Sequence, residues 1–163
     1  MNKIPIAAFS AWSGTGKTTI IEKLIYELKN RGLRVAAVKH DAHDFDIDRE
    51  GKDSWRFTQA GADVTVISSD KKTALIEQRS LDFDSLISMI HDVDIIIAEG
   101  FNNESLPCIG ISRMAAGKGF RRPVDSYIAL VTDESVDTDL PVFRLDDICG
   151  LADFIVSAVM HKE

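Results

Sequence analysis

A short segment near the amino terminus combines the residue types that bind phosphate groups. Residues 11–18 read A-W-S-G-T-G-K-T, the spacing of a phosphate-binding loop except that Ala11 stands where glycine is usual. Two glycines let backbone N–H groups converge on phosphate oxygens, Lys17 brings a positive charge to the β- and γ-phosphates, and the Thr18 hydroxyl suits Mg²⁺. The sequence therefore predicts a nucleotide-binding site, with the residues Ser13, Gly14, Thr15, Gly16, Lys17, Thr18 and Thr19.

The residues around this loop follow the pattern of a strand, a loop and a helix. Residues 4–9 form an apolar run that is typical of a strand buried on both faces. From Lys17 onward, apolar side chains recur with helical spacing at Ile20, Ile21, Leu24, Ile25 and Leu28. Gly32 stands where such a helix would end, and residues 35–38 form a second apolar run. This order predicts a pair of parallel strands, and the positive end of the helix favours phosphate binding.

A carboxylate is expected near the loop, because ligands of open α/β sheets bind beyond the carboxyl ends of the strands. The apolar run 95–98 is flanked by Asp94 and Glu99, which would lie about 16 Å apart along an extended strand. If this strand is parallel to the first, Glu99 lies at the phosphate edge and Asp94 at the opposite edge. We predict Lys17 and Glu99 as catalytic residues and Thr18 with Glu99 as Mg²⁺ ligands. The alternative for Glu99 is a structural ion pair or cap.

An acidic loop follows the second predicted strand. Residues 40–48 read H-D-A-H-D-F-D-I-D, but the spacing is not that of an EF-hand, because Arg49 holds the position of the central glycine. We interpret residues 40–54 as a loop that responds to the nucleotide, in which Asp48 or Asp41 contacts Mg²⁺ through water. A solvated acidic loop is the alternative.

A basic loop lies in the second half of the chain, where residues 117–123 read G-K-G-F-R-R-P. It could bind an anionic group, contact a partner protein or be a solvated loop. Near the phosphate-binding loop itself, the sequence identifies neither an arginine finger nor a glutamine that orients water, which predicts slow hydrolysis.

The remaining patterns predict one α/β domain over residues 1–163. Apolar runs and turn residues indicate a short helix and an antiparallel hairpin extension at about 64–79. The chain also contains a predicted helix capped by Asp82 or Asp84 and a last helix from Leu151. Further strands are predicted at 108–112, 127–131 and 142–145. The predicted fold class is a P-loop NTPase-like three-layer α/β fold, with a mostly parallel sheet and helices on both faces. The hairpin edge is suited to strand pairing in a homodimer.

Composition and charge exclude several classes of protein. The 163 residues suit one domain. With 19 basic and 26 acidic side chains, the net charge of −7 does not favour a nucleic-acid partner. No apolar stretch approaches the ~20 residues that span a bilayer, so we expect no membrane partner and a cytoplasmic protein.

Several sequence blocks together resemble the MobB family of adaptor proteins in molybdopterin guanine dinucleotide biosynthesis. The first block is A-F-S-A-W-S-G-T-G-K-T-T, and the resemblance spans nearly the whole chain. The blocks occupy residues 8–19, 39–48, 51–54, 60–62, 99–101, 146–148 and 150–153. Blocks in this order are far more specific than the phosphate-binding loop alone.

The resemblance implies a function that the residues alone do not give. It implies GTP binding with weak hydrolysis, Mg²⁺ and a homodimer. It also implies partnership with the molybdenum cofactor guanylyltransferase and with the enzymes that insert molybdenum. One position departs from the wider class of P-loop dimers, since Trp12 stands where those proteins carry a second, signature lysine.

Two other functions are compatible with the same loop. A small-molecule kinase would need an acceptor pocket and an arginine-bearing lid, for which Arg121 and Arg122 are the candidates. A non-catalytic interaction module would carry a vestigial loop. The usual guanine-reading motif is absent, so the residues alone do not distinguish GTP from ATP.

Overall fold

The computed structural model describes residues 4–40, 45–101 and 105–160. The chain forms two compact units, one made of residues 1–40 and 92–163 and the other of residues 41–91. The regular elements in chain order are β1 (Ile6–Ser10), α1 (Lys17–Asn30), β2 (Val35–Lys39), α2 (Asp53–Gln59), β3 (Val64–Ser68), β4 (Thr73–Glu77), α3 (Phe83–Ser88), β5 (Ile95–Glu99), β6 (Cys108–Ile111), β7 (Ala129–Val131), β8 (Val142–Phe143) and α4 (Ile148–Ile155). Short 3₁₀ segments lie at Met114–Ala116 and Val124–Ser126.

The first unit contains a six-stranded sheet in the order β2-β5-β1-β6-β7-β8. Every neighbouring pair in this sheet is parallel. All six carboxyl ends therefore share one edge, and β1 lies between β5 and β6. The predicted P-loop NTPase-like α/β class, with a mostly parallel sheet, is confirmed. The antiparallel hairpin that the sequence predicted as an extension lies in the second unit and forms a sheet of its own.

Both faces of the four central strands β5, β1, β6 and β7 are buried, which explains their continuous apolar runs. On one face, inward-pointing residues of the strands such as Phe9, Ile97 and Ile109 pack with the apolar stripes of α1 and α4. On the other face, a smaller cluster around Tyr127 and Leu130 is covered by side chains of the connecting segments. The two helices of this unit thus pack on the same face of the sheet.

The helix ends follow from identifiable residues. Gly32 adopts a left-handed φ of +83° just after α1, as its position in the sequence predicted. Asp147 caps α4 by accepting a hydrogen bond from the Gly150 N–H at 3.0 Å. The predicted last helix continues beyond α4 as a π-helical segment, Val156–Met160.

The second unit consists of α2, the hairpin and α3. Strands β3 and β4 pair in antiparallel register from Val64 opposite Glu77 to Ser68 opposite Thr73, confirming the hairpin. Of the two candidate caps, Asp82 begins α3 by accepting a hydrogen bond from the Ser85 N–H at 2.8 Å. Within the described ranges, no helix has the length and apolar character needed to cross a membrane.

Candidate functional site

The phosphate-binding loop connects β1 to α1 and is shaped by its glycines. Gly14 and Gly16 have φ angles of +85° and +89°, a region that side chains other than glycine rarely adopt. The buried Thr15 between them closes the turn, since its hydroxyl and its N–H both donate to the Trp12 carbonyl oxygen. The loop predicted from the sequence therefore forms a tight turn that runs directly into a helix.

The first turn of α1 leaves backbone donors available to an anion. The helix begins at Lys17, no side chain caps it, and its first turn contains no acidic residue. The first intrahelical bond runs from the Ile20 N–H to the Gly16 carbonyl oxygen at 3.1 Å. The amides of Lys17, Thr18 and Thr19 precede this bond and lack intrahelical acceptors. Such a helix start favours phosphate through both its amides and its dipole.

Lys17 and Glu99 form an ion pair at this edge, with Nζ and Oε1 2.8 Å apart. Glu99 ends β5 and lies in register with Phe9 of β1, so the parallel pairing brings its carboxylate beside the loop, as the sequence predicted. The side chains are 15% and 20% exposed, respectively. Two partly buried opposite charges thus face each other where the terminal phosphates of a nucleotide are expected.

A close backbone contact fixes the end of β5. Gly100 has a φ of +83°, and a Cβ atom at this position would overlap the His40 carbonyl oxygen. The His40 N–H donates to the Glu99 carbonyl oxygen at 2.8 Å, and the His40 ring lies against Phe101 with ring centroids 5.3 Å apart. A glycine after Glu99 is therefore required for the ends of β2 and β5 to meet, and this contact positions Glu99.

Asp94 lies at the opposite edge of the sheet, as predicted from strand polarity. Its carboxylate contacts the guanidinium of Arg34 at 3.0 Å and accepts a hydrogen bond from the Arg34 backbone N–H at 2.7 Å. These interactions, first the guanidinium and then the amide, lower the pKa of Asp94 below its ordinary value. Asp94 thus links the first residues of β5 to those of β2, at the edge of the sheet away from the phosphate-binding loop.

Three basic side chains surround the loop, and sequence reasoning had not assigned any of them to it. Lys118 donates to the Ser13 carbonyl oxygen at 3.3 Å. The guanidinium of Arg121 lies 5.9 Å from the centre of the Trp12 ring. Arg113 lies beside Gly16. The sequence identifies the basic loop 117–123 but does not predict that it lies beside the phosphate-binding loop. For Arg113, the signal in the sequence is its position just after a predicted strand.

Asp48 belongs to the second unit, and its predicted role as a metal ligand stays a prediction. Its Oδ1 accepts hydrogen bonds from the Arg49 N–H at 2.7 Å and the Ser54 hydroxyl at 3.0 Å. Its Oδ2 is buried and has no hydrogen-bond partner among the described residues. Asp41, the other candidate of this loop, lies outside the described residues. Within the described part of the chain, no three His, Cys, Asp or Glu side chains cluster to hold a metal ion.

The parallel sheet, the glycine-shaped loop and the helix that follows it define a protein with a P-loop NTPase-like α/β fold. The family model described as "Molybdopterin guanine dinucleotide synthesis protein B" (MobB) matches residues 6–133. The chain belongs to this MobB family.

Relatives and solved structures agree with this assignment. The chain is 40% identical over 164 residues to the molybdopterin-guanine dinucleotide biosynthesis adapter protein of Escherichia coli, covering 94% of this chain and 92% of that protein. It is 33% identical to the adapter protein of the same name from Haemophilus influenzae, covering 98% and 92%.

The solved structures resemble the chain over almost its whole length. A crystal structure of Bacillus subtilis MobB has a TM-score of 0.78 at 26% identity and covers 97% of this chain and 99% of that one. A crystal structure of molybdopterin-guanine biosynthesis protein B has a TM-score of 0.70 at 32% identity, covering 94% and 99%. These similarities support the MobB fold for this chain.

Proposed function

We propose that this protein is a GTP-binding adapter in molybdopterin guanine dinucleotide biosynthesis, with slow GTP hydrolysis. The observation that carries the proposal is the Lys17–Glu99 ion pair of 2.8 Å beside the start of α1. This pair places a cation that can bind phosphate next to a carboxylate that can bind a metal ion, and both lie at the glycine-containing loop. The role in this biosynthesis is supported by membership of the MobB family.

In the proposed site, both the backbone and the side chains of the loop contribute to nucleotide binding. Backbone N–H groups of residues 13–19 donate hydrogen bonds to the phosphate oxygens, and the ammonium of Lys17 turns from Glu99 to the β- and γ-phosphates. The Thr18 hydroxyl and the Glu99 carboxylate form an oxygen donor set that fits Mg²⁺, which when bound neutralises phosphate charge. Glu99, which is paired with Lys17 in this structure, would then help to hold the metal ion.

We expect the proposed hydrolysis to be slow because of the residue type at position 12. This residue stands where the wider class of P-loop dimers carries a signature lysine, and its ring lies near Arg121. A tryptophan supplies no charge to the developing transition state. We therefore expect GTP binding to regulate contacts with partners more than to drive rapid turnover.

We also propose a homodimer that uses the hairpin. Val64, Val66 and Leu75 lie on one face of the β3–β4 sheet and remain exposed, which is unusual for large apolar side chains placed together. A second copy would cover this face or extend the sheet edge. Light scattering should give a mass above the 18.0 kDa of one chain, and Val66→Glu should return it to that value.

The partners we propose are the guanylyltransferase of the molybdenum cofactor and the enzymes that insert molybdenum. This proposal rests on the adapter function in the relatives' names. A cytoplasmic location is also proposed, and it is supported by the free thiols of Cys108 and Cys149.

Titration calorimetry with GTP and Mg²⁺ tests the nucleotide site. We expect the protein to bind GTP and Lys17→Ala to abolish tight binding, because the ammonium is the principal side-chain cation of the loop. Lys29→Ala, a matched loss of charge in the last turn of α1, should leave the affinity unchanged. Unchanged affinity in the Lys17 variant would contradict the site. Phosphate transfer from GTP to a pterin acceptor would instead favour the small-molecule kinase.

A further inference from the structure

We propose that Arg113 is an additional nucleotide-binding residue, which contacts the phosphate nearest the nucleoside. The inference rests on the proposed GTP site and adds a residue outside the loop motif. It is carried by the position of the guanidinium, by the anchoring of the surrounding backbone and by the order of the strands.

The guanidinium of Arg113 packs flat on the loop. A Cβ atom placed on Gly16 would lie 3.7 Å from Cζ, 3.7 Å from one terminal nitrogen and 3.8 Å from the other. Nearly equal distances mean that the plane of the guanidinium faces the glycine. Its N–H groups lie in that plane, so they remain free to donate to an anion held by the same loop.

The backbone on both sides of Arg113 is held by the last residue of β7 and by residues that follow this strand. The Ser112 N–H donates to the Val131 carbonyl oxygen at 3.1 Å, and the Ser112 hydroxyl donates to Glu134. The Met114 N–H donates to the Asp133 carboxylate at 2.7 Å. These bonds fix the point from which the Arg113 side chain extends.

Among the described residues, no counter-charge lies in contact with the guanidinium of Arg113. The side chains of Arg31, Arg34 and Arg144 each pair with a carboxylate. The exposed Arg113 has no ion pair or hydrogen bond to its side chain among the described residues. An arginine anchored in place and left unpaired beside phosphate-binding amides is arranged to receive a phosphate oxygen.

The strand order indicates which phosphate this is. Glu99 ends β5 on one side of β1, whereas Arg113 follows β6 on the other side. In the proposed site Lys17 and Glu99 serve the terminal phosphates and the metal ion. Arg113 thus lies on the opposite side of β1 from the residues that serve the terminal phosphates. On that side the phosphate chain would continue to the nucleoside. The proposed partner of Arg113 is therefore the α-phosphate, which GTP and GDP share.

Calorimetric affinities for GTP and GDP, both with Mg²⁺, test the inference. We expect Arg113→Ala to lower the affinities for GTP and GDP by about tenfold to a hundredfold, the usual effect of losing a charge-assisted hydrogen bond. The ratio of the two affinities should stay unchanged. Arg113→Lys should fall between the wild type and the alanine variant, because it keeps the charge and loses the planar fork. Arg144→Ala, whose native side chain is 83% exposed, is the matched control and should bind normally.

The outcomes separate this inference from the function on which it rests. If the wild type binds GTP, Lys17→Ala does not, and Arg113→Ala binds both nucleotides normally, the inference is overturned and the GTP site stands. Weakened binding of GTP alone would also overturn it, because the contact would then be to the terminal phosphate. If the wild type binds neither nucleotide, the proposed function fails and the inference with it. Circular dichroism of each variant confirms that it is folded, and Arg113→Gln provides a second neutral variant.

Discussion

The ammonium of Lys17 and the carboxylate of Glu99 lie 2.8 Å apart, joining the start of α1 to the end of β5. The same two groups are the principal candidates for binding phosphate and the metal ion. In this structure each neutralises the other, so the proposed binding of a nucleotide would replace one partly buried ion pair with contacts to phosphate and Mg²⁺.

Glu99→Gln should remove the dependence of GTP binding on Mg²⁺. The amide no longer holds the Lys17 ammonium by charge and is a poorer ligand for Mg²⁺. We therefore expect metal-free binding to equal or exceed that of the wild type, while added Mg²⁺ gives little further gain. Calorimetry with and without EDTA measures this. Asp94→Asn is the control at the opposite edge, and a normal Mg²⁺ effect in the Glu99 variant would disprove the assignment.

Gly100→Ala should destabilise the protein more than Gly32→Ala does. Both glycines have a φ of +83°, but only at Gly100 would a Cβ atom meet a backbone oxygen, that of His40. The shared backbone strain costs about 1–2 kcal/mol, and we expect the overlap at Gly100 to add about 1–3 kcal/mol. Urea denaturation gives the two free energies of unfolding, and equal losses would show that the contact with His40 is unimportant.

Asp94→Asn should reduce the sensitivity of stability to acid. The pKa of Asp94 is lowered by Arg34 in the folded state, so its stabilising effect is present above the unfolded pKa and is lost as the pH falls through the folded pKa. The variant should be less stable near neutrality and should lose less stability between about pH 5 and pH 2. Asp137→Asn serves as an exposed control, and parallel stability profiles for wild type and Asp94→Asn would be the contrary result.

The two thiols should differ in reactivity with a disulfide reagent such as DTNB. Cys149 is exposed and Cys108 is buried, and burial raises the pKa of the Cys108 thiol, which disfavours the reactive thiolate. One thiol should therefore react rapidly in the native protein at pH 8 and the second only after unfolding. Cys149→Ser should eliminate the rapid phase. Two rapid equivalents in the wild type would mean that β6 is not buried as described.

Local sequence patterns were enough to predict the phosphate-binding loop and the place of Glu99. The apolar run before the loop and the helical stripe after Lys17 depend on neighbouring residues, and the polarity of a parallel strand then decides between Asp94 and Glu99. The contact that holds Glu99 in place could not be predicted in the same way, because it requires β2 and β5 to be neighbours so that Gly100 meets His40.

Arg113 was missed for the same physical reason. Its distance from Gly16 depends on the pairing of β6 with β1, and these strands are separated by about a hundred residues of sequence. The composition of a strand gives no information about which strand lies beside it. Helical periodicity has a similar limit, since the apolar spacing that predicted the last helix does not distinguish α4 from the π-helical turns at Val156–Met160.

A crystal structure of the protein grown with Mg²⁺ and a non-hydrolysable GTP analogue tests the central claim most directly. It should show the phosphates bound by the amides of residues 13–19, Lys17 on the terminal phosphates, and the metal ion between Thr18 and Glu99. A loop that stays empty in saturating nucleotide, with Lys17 still paired to Glu99, would contradict the account.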